Sequence, residues 1–127
     1  MAWEPANAQR FFDDLLSEIP EFSDSFNDHI ADNEELLPYV LMDNFSRFVI
    51  EMYVQSVDSG SADCMDIFER SISFLNKKFS SSDDDIQVMI NTTFCETIEA
   101  LGSEGDTLKN ICERLSPELQ ACINIIE

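Results

Sequence analysis

The chain of 127 residues carries 26 acids against 7 bases, a formal charge of −19, together with 44% hydrophobic residues and ten Phe. That apolar content is ample for one packed domain and separates the chain from disordered acidic sequences, which combine high charge with few aromatics. So negative a surface disfavours nucleic acid and anionic membrane as direct ligands, since both would repel it, and points to a cationic partner.

The opening "MAWEPANAQR" lacks the basic start and apolar run of a secretory signal. No apolar stretch approaches the roughly 20 residues of a membrane span. A soluble, cytoplasmic chain is therefore expected. Three Gly and four Pro leave few places for hairpins. No segment alternates strictly enough for a strand, whereas apolar residues recur at helical spacing almost throughout.

Phe11, Phe12, Leu15, Leu16 and Ile19 form the first stripe. Phe22, Phe26 and Ile30 form the second, with Pro20 placed to open that helix, where its missing N–H costs nothing. The longest helix is expected to begin near Pro38 and to carry Leu41, Phe45, Phe48, Val49 and Met52 inward. On its far side Asp43, Arg47 and Glu51 stand four apart, so Arg47 can meet a carboxylate on either side.

"VDSGSAD" breaks the chain before a fourth stripe of Met65, Phe68, Ile72, Leu75 and Phe79, which Lys77 and Lys78 close. "SSSDDD" opens a fifth helix. Ser82 can cap it and Asp83 to Asp85 suit its N-terminus, while Ile86, Ile90, Phe94 and Ile98 continue until Gly102. Leu108, Ile111, Cys112 and Leu115 form a sixth, capped by Asp106. Ser116 followed by Pro117 starts the last, with Leu119, Cys122, Ile123 and Ile126 inward. The expectation is one all-α domain, a compact bundle of six to seven helices.

Catalytic and metal signatures are missing. Cys64, Cys95, Cys112 and Cys122 form no C-x-x-C pair and lie on or beside apolar stripes, as buried free thiols do. His29 is the lone histidine, at the edge of the Phe22/Phe26 stripe, where a packing role is expected. No finger-like zinc pattern, calcium loop or phosphate-cradling glycine loop is present. An enzyme, a cofactor and a metal are accordingly not expected.

The charge, in contrast, is concentrated. From Phe11 through Ser46 there are ten acids and no base. On a wheel of about 100° per residue, Glu21, Asp24, Asp28 and Asp32 fall within an arc of about 80°, nearly opposite Phe22. Ordinary solvated faces intersperse both signs. The unbalanced face makes Glu18, Glu21, Asp24, Asp28, Asp32, Glu34, Glu35 and Tyr39 the candidate partner-binding residues. Trp3, Val40 and Tyr53 join Tyr39 as possible apolar anchors, being poorly placed for their own helix's core.

At "ELLPYVLMDNFSRFVIEMY" (Glu35 to Tyr53) and "ISFLNKKFSSSDDDIQVMINTTFCETI" (Ile72 to Ile98) the sequence resembles small acidic all-helical bacterial immunity proteins, in particular those of contact-dependent growth inhibition. The resemblance covers roughly residues 11 to 100, mostly at core-forming positions, and carries over no binding residue. It implies a bacterial cytoplasmic protein that neutralises a cognate nuclease toxin, an RNase or tRNase, by covering its basic substrate site. The alternative expectation is a nucleic-acid mimic that inhibits a DNA-binding protein.

Overall fold

A computed structural model describes residues 5–81, 84–101 and 107–120. The described residues are all-α and include no strand. In chain order they form α1 (Pro5–Glu18), a 3-10 turn (Pro20–Phe22), α2 (Ser23–Asn33), α3 (Pro38–Ser59) and α4 (Ala62–Ser81). These are followed by α5 (Asp84–Ile90), a π turn (Asn91–Cys95), α6 (Glu96–Leu101), α7 (Thr107–Cys112) and α8 (Pro117–Gln120). No helix among the described residues is long and apolar enough to cross a membrane. Trp3, Ser82, Asp83, Gly102, Asp106, Cys122, Ile123 and Ile126 lie outside the described residues.

The centre of the fold is α3, 22 residues long, with Pro38 in its first turn as its sequence requires. Its buried positions run from Leu41 and Met42 through Phe45, Ser46, Val49, Ile50 and Tyr53 to Ser56, so far more than a narrow stripe is enclosed. Helices α2, α4, α5 and α6 all pack against it. Gly60 ends α3 in the left-handed region at φ 69°, and Ser61 then caps α4 by accepting the Cys64 N–H at 3.2 Å. The two longest helices thereby form an antiparallel hairpin, knit by Tyr53 against Phe68 at 5.1 Å between ring centroids.

Aromatic rings fill the interior. Phe22 meets Phe45 edge-on at 5.2 Å, and Phe11 meets Phe74 at 5.3 Å, attaching the N-terminal segments to α3 and α4. Phe12, Phe22, Phe45, Phe68, Phe74 and Phe94 are fully buried.

The segments from Asp84 to Leu101 make one continuous rod, since Ile90 and Glu96 on either side of the π turn both keep right-handed helical angles. The π turn coincides with a four-residue apolar repeat. Ile86, Ile90, Phe94 and Ile98 repeat every four residues, and on a regular helix each such step drifts by about 40°. The wider turn offsets part of that drift here, and all four side chains are buried; in α3 the same spacing at Leu41, Phe45, Val49 and Tyr53 is buried on a regular helix. Thr93 Oγ1 donates to the Met89 carbonyl at 2.6 Å inside this turn, and Thr97 Oγ1 donates to Asp43 Oδ1 at 3.0 Å, tying α6 to α3. At the other end, the Ser116 N–H donates to Asn76 Oδ1 at 2.8 Å, which holds the start of α8 against α4.

Helix α2 begins later than Pro20 suggests: the proline opens the 3-10 turn, and the α-helix starts at Ser23. Its far end is held by His29, only 3% exposed. His29 Nε2 accepts the Leu37 N–H at 3.0 Å, and Asn33 Nδ2 donates to the His29 carbonyl at 2.9 Å. The helix stops at Glu34, whose N–H reaches the Ile30 carbonyl at 2.8 Å and whose φ is 60°.

A left-handed residue with a Cβ is strained, and a carboxylate at a helix C-terminus opposes the dipole. Glu34→Gly should therefore raise unfolding free energy by about 0.5–1 kcal/mol in urea denaturation.

Burial holds the His29 imidazole below its ordinary value of 6.5, with Asp32 acting weakly the other way. A depressed histidine binds fewer protons folded than unfolded, so its contribution is complete above about 6.5 and is lost as pH falls below it. The wild-type denaturation midpoint should drop over that acid limb relative to His29→Gln, which keeps an acceptor but cannot titrate.

Candidate functional site

The few bases are unevenly assigned. Helix α4 presents Arg70, Lys77 and Lys78 toward the N-terminal segments. Lys78 Nζ binds Asp14 at 2.6 Å, Lys77 Nζ binds Glu18 at 2.8 Å, and Arg70 holds both oxygens of Glu21 at 3.0 and 2.6 Å. Arg70 also donates to the Glu18 carbonyl at 3.0 Å and pairs with Asp66 at 2.9 Å. The Arg70 hydrogen bond holds the Glu21 carboxyl below its usual range, and Glu21 together with Asp66 pushes the guanidinium further up. Each such partly exposed pair is worth at most about 1 kcal/mol, but together they form a belt that fixes α1 against α4.

This belt redraws the acidic face read from sequence. Glu18 and Glu21 are engaged within the fold, by bases 59 and 49 residues away. Glu21 also lies in the 3-10 turn and so leaves the α2 stripe. What remains is Asp24, Asp28 and Asp32, one turn apart on α2, followed by Glu34 and Glu35. All five are exposed, and none of them pairs with a described base.

The ridge persists against local preference. Asp24 with Asp28, and Asp28 with Asp32, are like-charge pairs four apart, each unfavourable by about 0.2–0.5 kcal/mol. No base occupies the last turn of α2, where the helix dipole favours one, and the chain instead places Asp32, Glu34 and Glu35 there. Glu34 adds a left-handed backbone. Local rules broken together in one segment are a signature of functional constraint.

Beside the ridge, α2 and α3 line an open groove of about 560 Å³. Asp28 and Asp32 line it from α2, and Val40, Arg47, Phe48 and Glu51 from α3. Arg47 spends its Nε on Asp43 at 3.0 Å, while Glu51 accepts from Gln55 Nε2 at 2.9 Å. Tyr39 and Val40, 41% and 48% exposed, stand at the start of α3 near the end of the ridge. Val54 lies on the same outer stripe of α3 as Val40.

Tyr53, in contrast, is 6% exposed and packs on Phe68, so it is a core residue and not an anchor. Trp3 lies outside the described residues. Cys95 and Cys112 are buried, and burial raises the Cys112 thiol pKa, with Glu99 adding to it. Cys64 departs from expectation in being only half-buried, with its Sγ 3.5 Å from Gln55 Oε1.

Among the described residues no group of three or more His, Cys, Asp or Glu side chains is placed to hold a metal ion. The arrangement offers recognition of cationic groups: clustered carboxylates, an aromatic ring and two exposed aliphatic or aromatic side chains in one region. The groove had no direct signal in the sequence. It depends on how far apart two helices stand, and only the four-residue break between Asn33 and Pro38 hints at it.

Neither a curated protein nor a solved structure matches the chain significantly. Residues 12–126 match the model of DUF7674, a domain of unknown function, and because that span is most of the chain, the protein belongs to the DUF7674 family.

Proposed function

We propose that this protein is an immunity protein that binds and neutralises a basic nuclease toxin domain in the bacterial cytoplasm. The observation that carries this reading is the exposed, base-free ridge of α2, kept despite mutual repulsion, an opposing helix dipole and a left-handed Glu34. Nuclease clefts are basic because they hold phosphates, and a concentrated acidic ridge is complementary to such a cleft.

The division of labour follows from electrostatics and burial. Asp24, Asp28, Asp32, Glu34 and Glu35 steer the encounter and reject acidic or neutral surfaces. Tyr39 and Val40 supply apolar contact at the edge of the ridge, because slow release requires desolvated anchors rather than charge. Glu18 and Glu21 act at the margin, already committed to Lys77 and Arg70. Inhibition then consists of occupying the surface on which the toxin would place its RNA.

A nucleic-acid mimic of a DNA-binding protein is the second reading. A mimic spreads charge along an extended track, whereas α2, with 11 residues, is about 16 Å long, and the acids of the α1–α4 belt are neutralised. Exposed acids with no described base also stand elsewhere, as at Asp58, Asp63 and Glu96, but the run of five from Asp24 to Glu35 favours the toxin inhibitor.

Capture from the native strain, read by mass spectrometry, should recover a basic nuclease domain whose activity stops on adding equimolar protein. Toxins of that strain killing cells regardless of the protein's expression would end the proposal. The triple variant Asp24→Lys, Asp28→Lys, Asp32→Lys should keep its helical circular dichroism. It should associate with the nuclease at least about tenfold more slowly, with a flatter dependence on salt.

A further inference from the structure

The groove between α2 and α3 has a floor and walls of distinct chemistry. Its floor is the half-buried ring of Phe48, held by Phe22 at 5.3 Å and Phe45 at 6.2 Å between centroids. Its walls include the carboxylates of Asp28, Asp32 and Glu51. The one base lining it, Arg47, is already bonded to Asp43. A planar cation resting on an aromatic face between carboxylates is favoured over a compact ammonium, because the guanidinium both stacks and donates in pairs.

An independent feature of the same groove asks for an acceptor. A neutral imidazole has one lone pair, and in His29 the Leu37 N–H occupies it at Nε2, leaving the ring proton on Nδ1. The polar contact of Nδ1 is Asn33 Nδ2 at 3.4 Å, which is itself a donor and is directed to the His29 carbonyl. A ring that is 3% exposed and lines the groove thus keeps an N–H without an acceptor among the described residues. Polyamines offer only donors. A peptide offers both a cationic side chain and a carbonyl oxygen.

We propose that this groove seats an arginine-bearing loop of the protein partner, with the guanidinium on Phe48 among Asp28, Asp32 and Glu51 and a loop carbonyl accepting from His29 Nδ1–H. This rests on the immunity reading for the partner's identity, but not for the chemistry of the groove.

The test is a titration of the full ¹⁵N-labelled chain with the peptide acetyl-Gly-Arg-Gly-amide, followed by NMR. Amide shifts should cluster at Asp28, Asp32, Phe48 and Glu51 and spare the Arg70 face. The citrulline peptide should bind about tenfold more weakly or not at all, and the lysine peptide about threefold more weakly. The imidazole Nδ1 resonance should move with the arginine peptide and stay still with methylguanidinium. Asp28→Asn with Asp32→Asn, which leaves the core intact, should weaken the arginine peptide about tenfold.

Shifts spread over all acidic faces, equal binding of the citrulline peptide, or full competition by spermidine would overturn the assignment. If the peptide fails while a basic nuclease is still captured and silenced, only the groove assignment falls. If the peptide seats there and no nuclease is captured, the groove stands as a basic-peptide site and the immunity reading falls.

Discussion

Scarcity of positive charge governs this molecule. Seven bases must serve 26 acids, so the position of each base decides which carboxylates are neutralised and which are left to act on the surroundings. Helix α4 directs Arg70, Lys77 and Lys78 to the end of α1 and the turn after it. The order of contacts, Asp14 to Lys78, then Glu18 to Lys77, then Glu21 to Arg70, descends along α4 as it ascends along α1. The belt therefore fixes two segments antiparallel at a boundary where a small domain has limited apolar area to spend. Helix α2 receives no such service, and its outer side is left electrically bare.

Much of the fold was legible in the sequence. Pro38 before a long apolar helix, and Ser116 with Pro117 at the last one, are local signals whose physics is complete within a few residues. The π turn was not legible, because the repeat Ile86, Ile90, Phe94 and Ile98 has the same spacing as Leu41, Phe45, Val49 and Tyr53, which stay on a regular helix. Pro20 starts a helical turn, but the chain needed three residues of tighter winding before Ser23.

The candidate site was half legible, for a physical reason. Spacing along one helix reveals neighbours three and four apart, so the alignment of Asp24, Asp28 and Asp32 is visible from the sequence alone. Partners some 50 residues distant are not, and so the neutralisation of Glu18 and Glu21 by α4 emerges only from the fold. Arg47 illustrates the same limit. Its spacing permits Asp43 or Glu51, and it takes Asp43, which Thr97 also holds, while Gln55 occupies Glu51. Tyr53 stands off the narrow apolar stripe, yet α3 is enclosed on so wide a face that the ring is buried against Phe68.

The bare side of α2 has a further consequence in the surrounding electrolyte. Asp24, Asp28, Asp32, Glu34 and Glu35 gather mobile cations from solution whenever the chain is alone. On the proposed function, docking against fixed bases would set those ions loose, and the entropy of released potassium or sodium would add to association. The salt dependence of that association would then grow with the number of carboxylates covered.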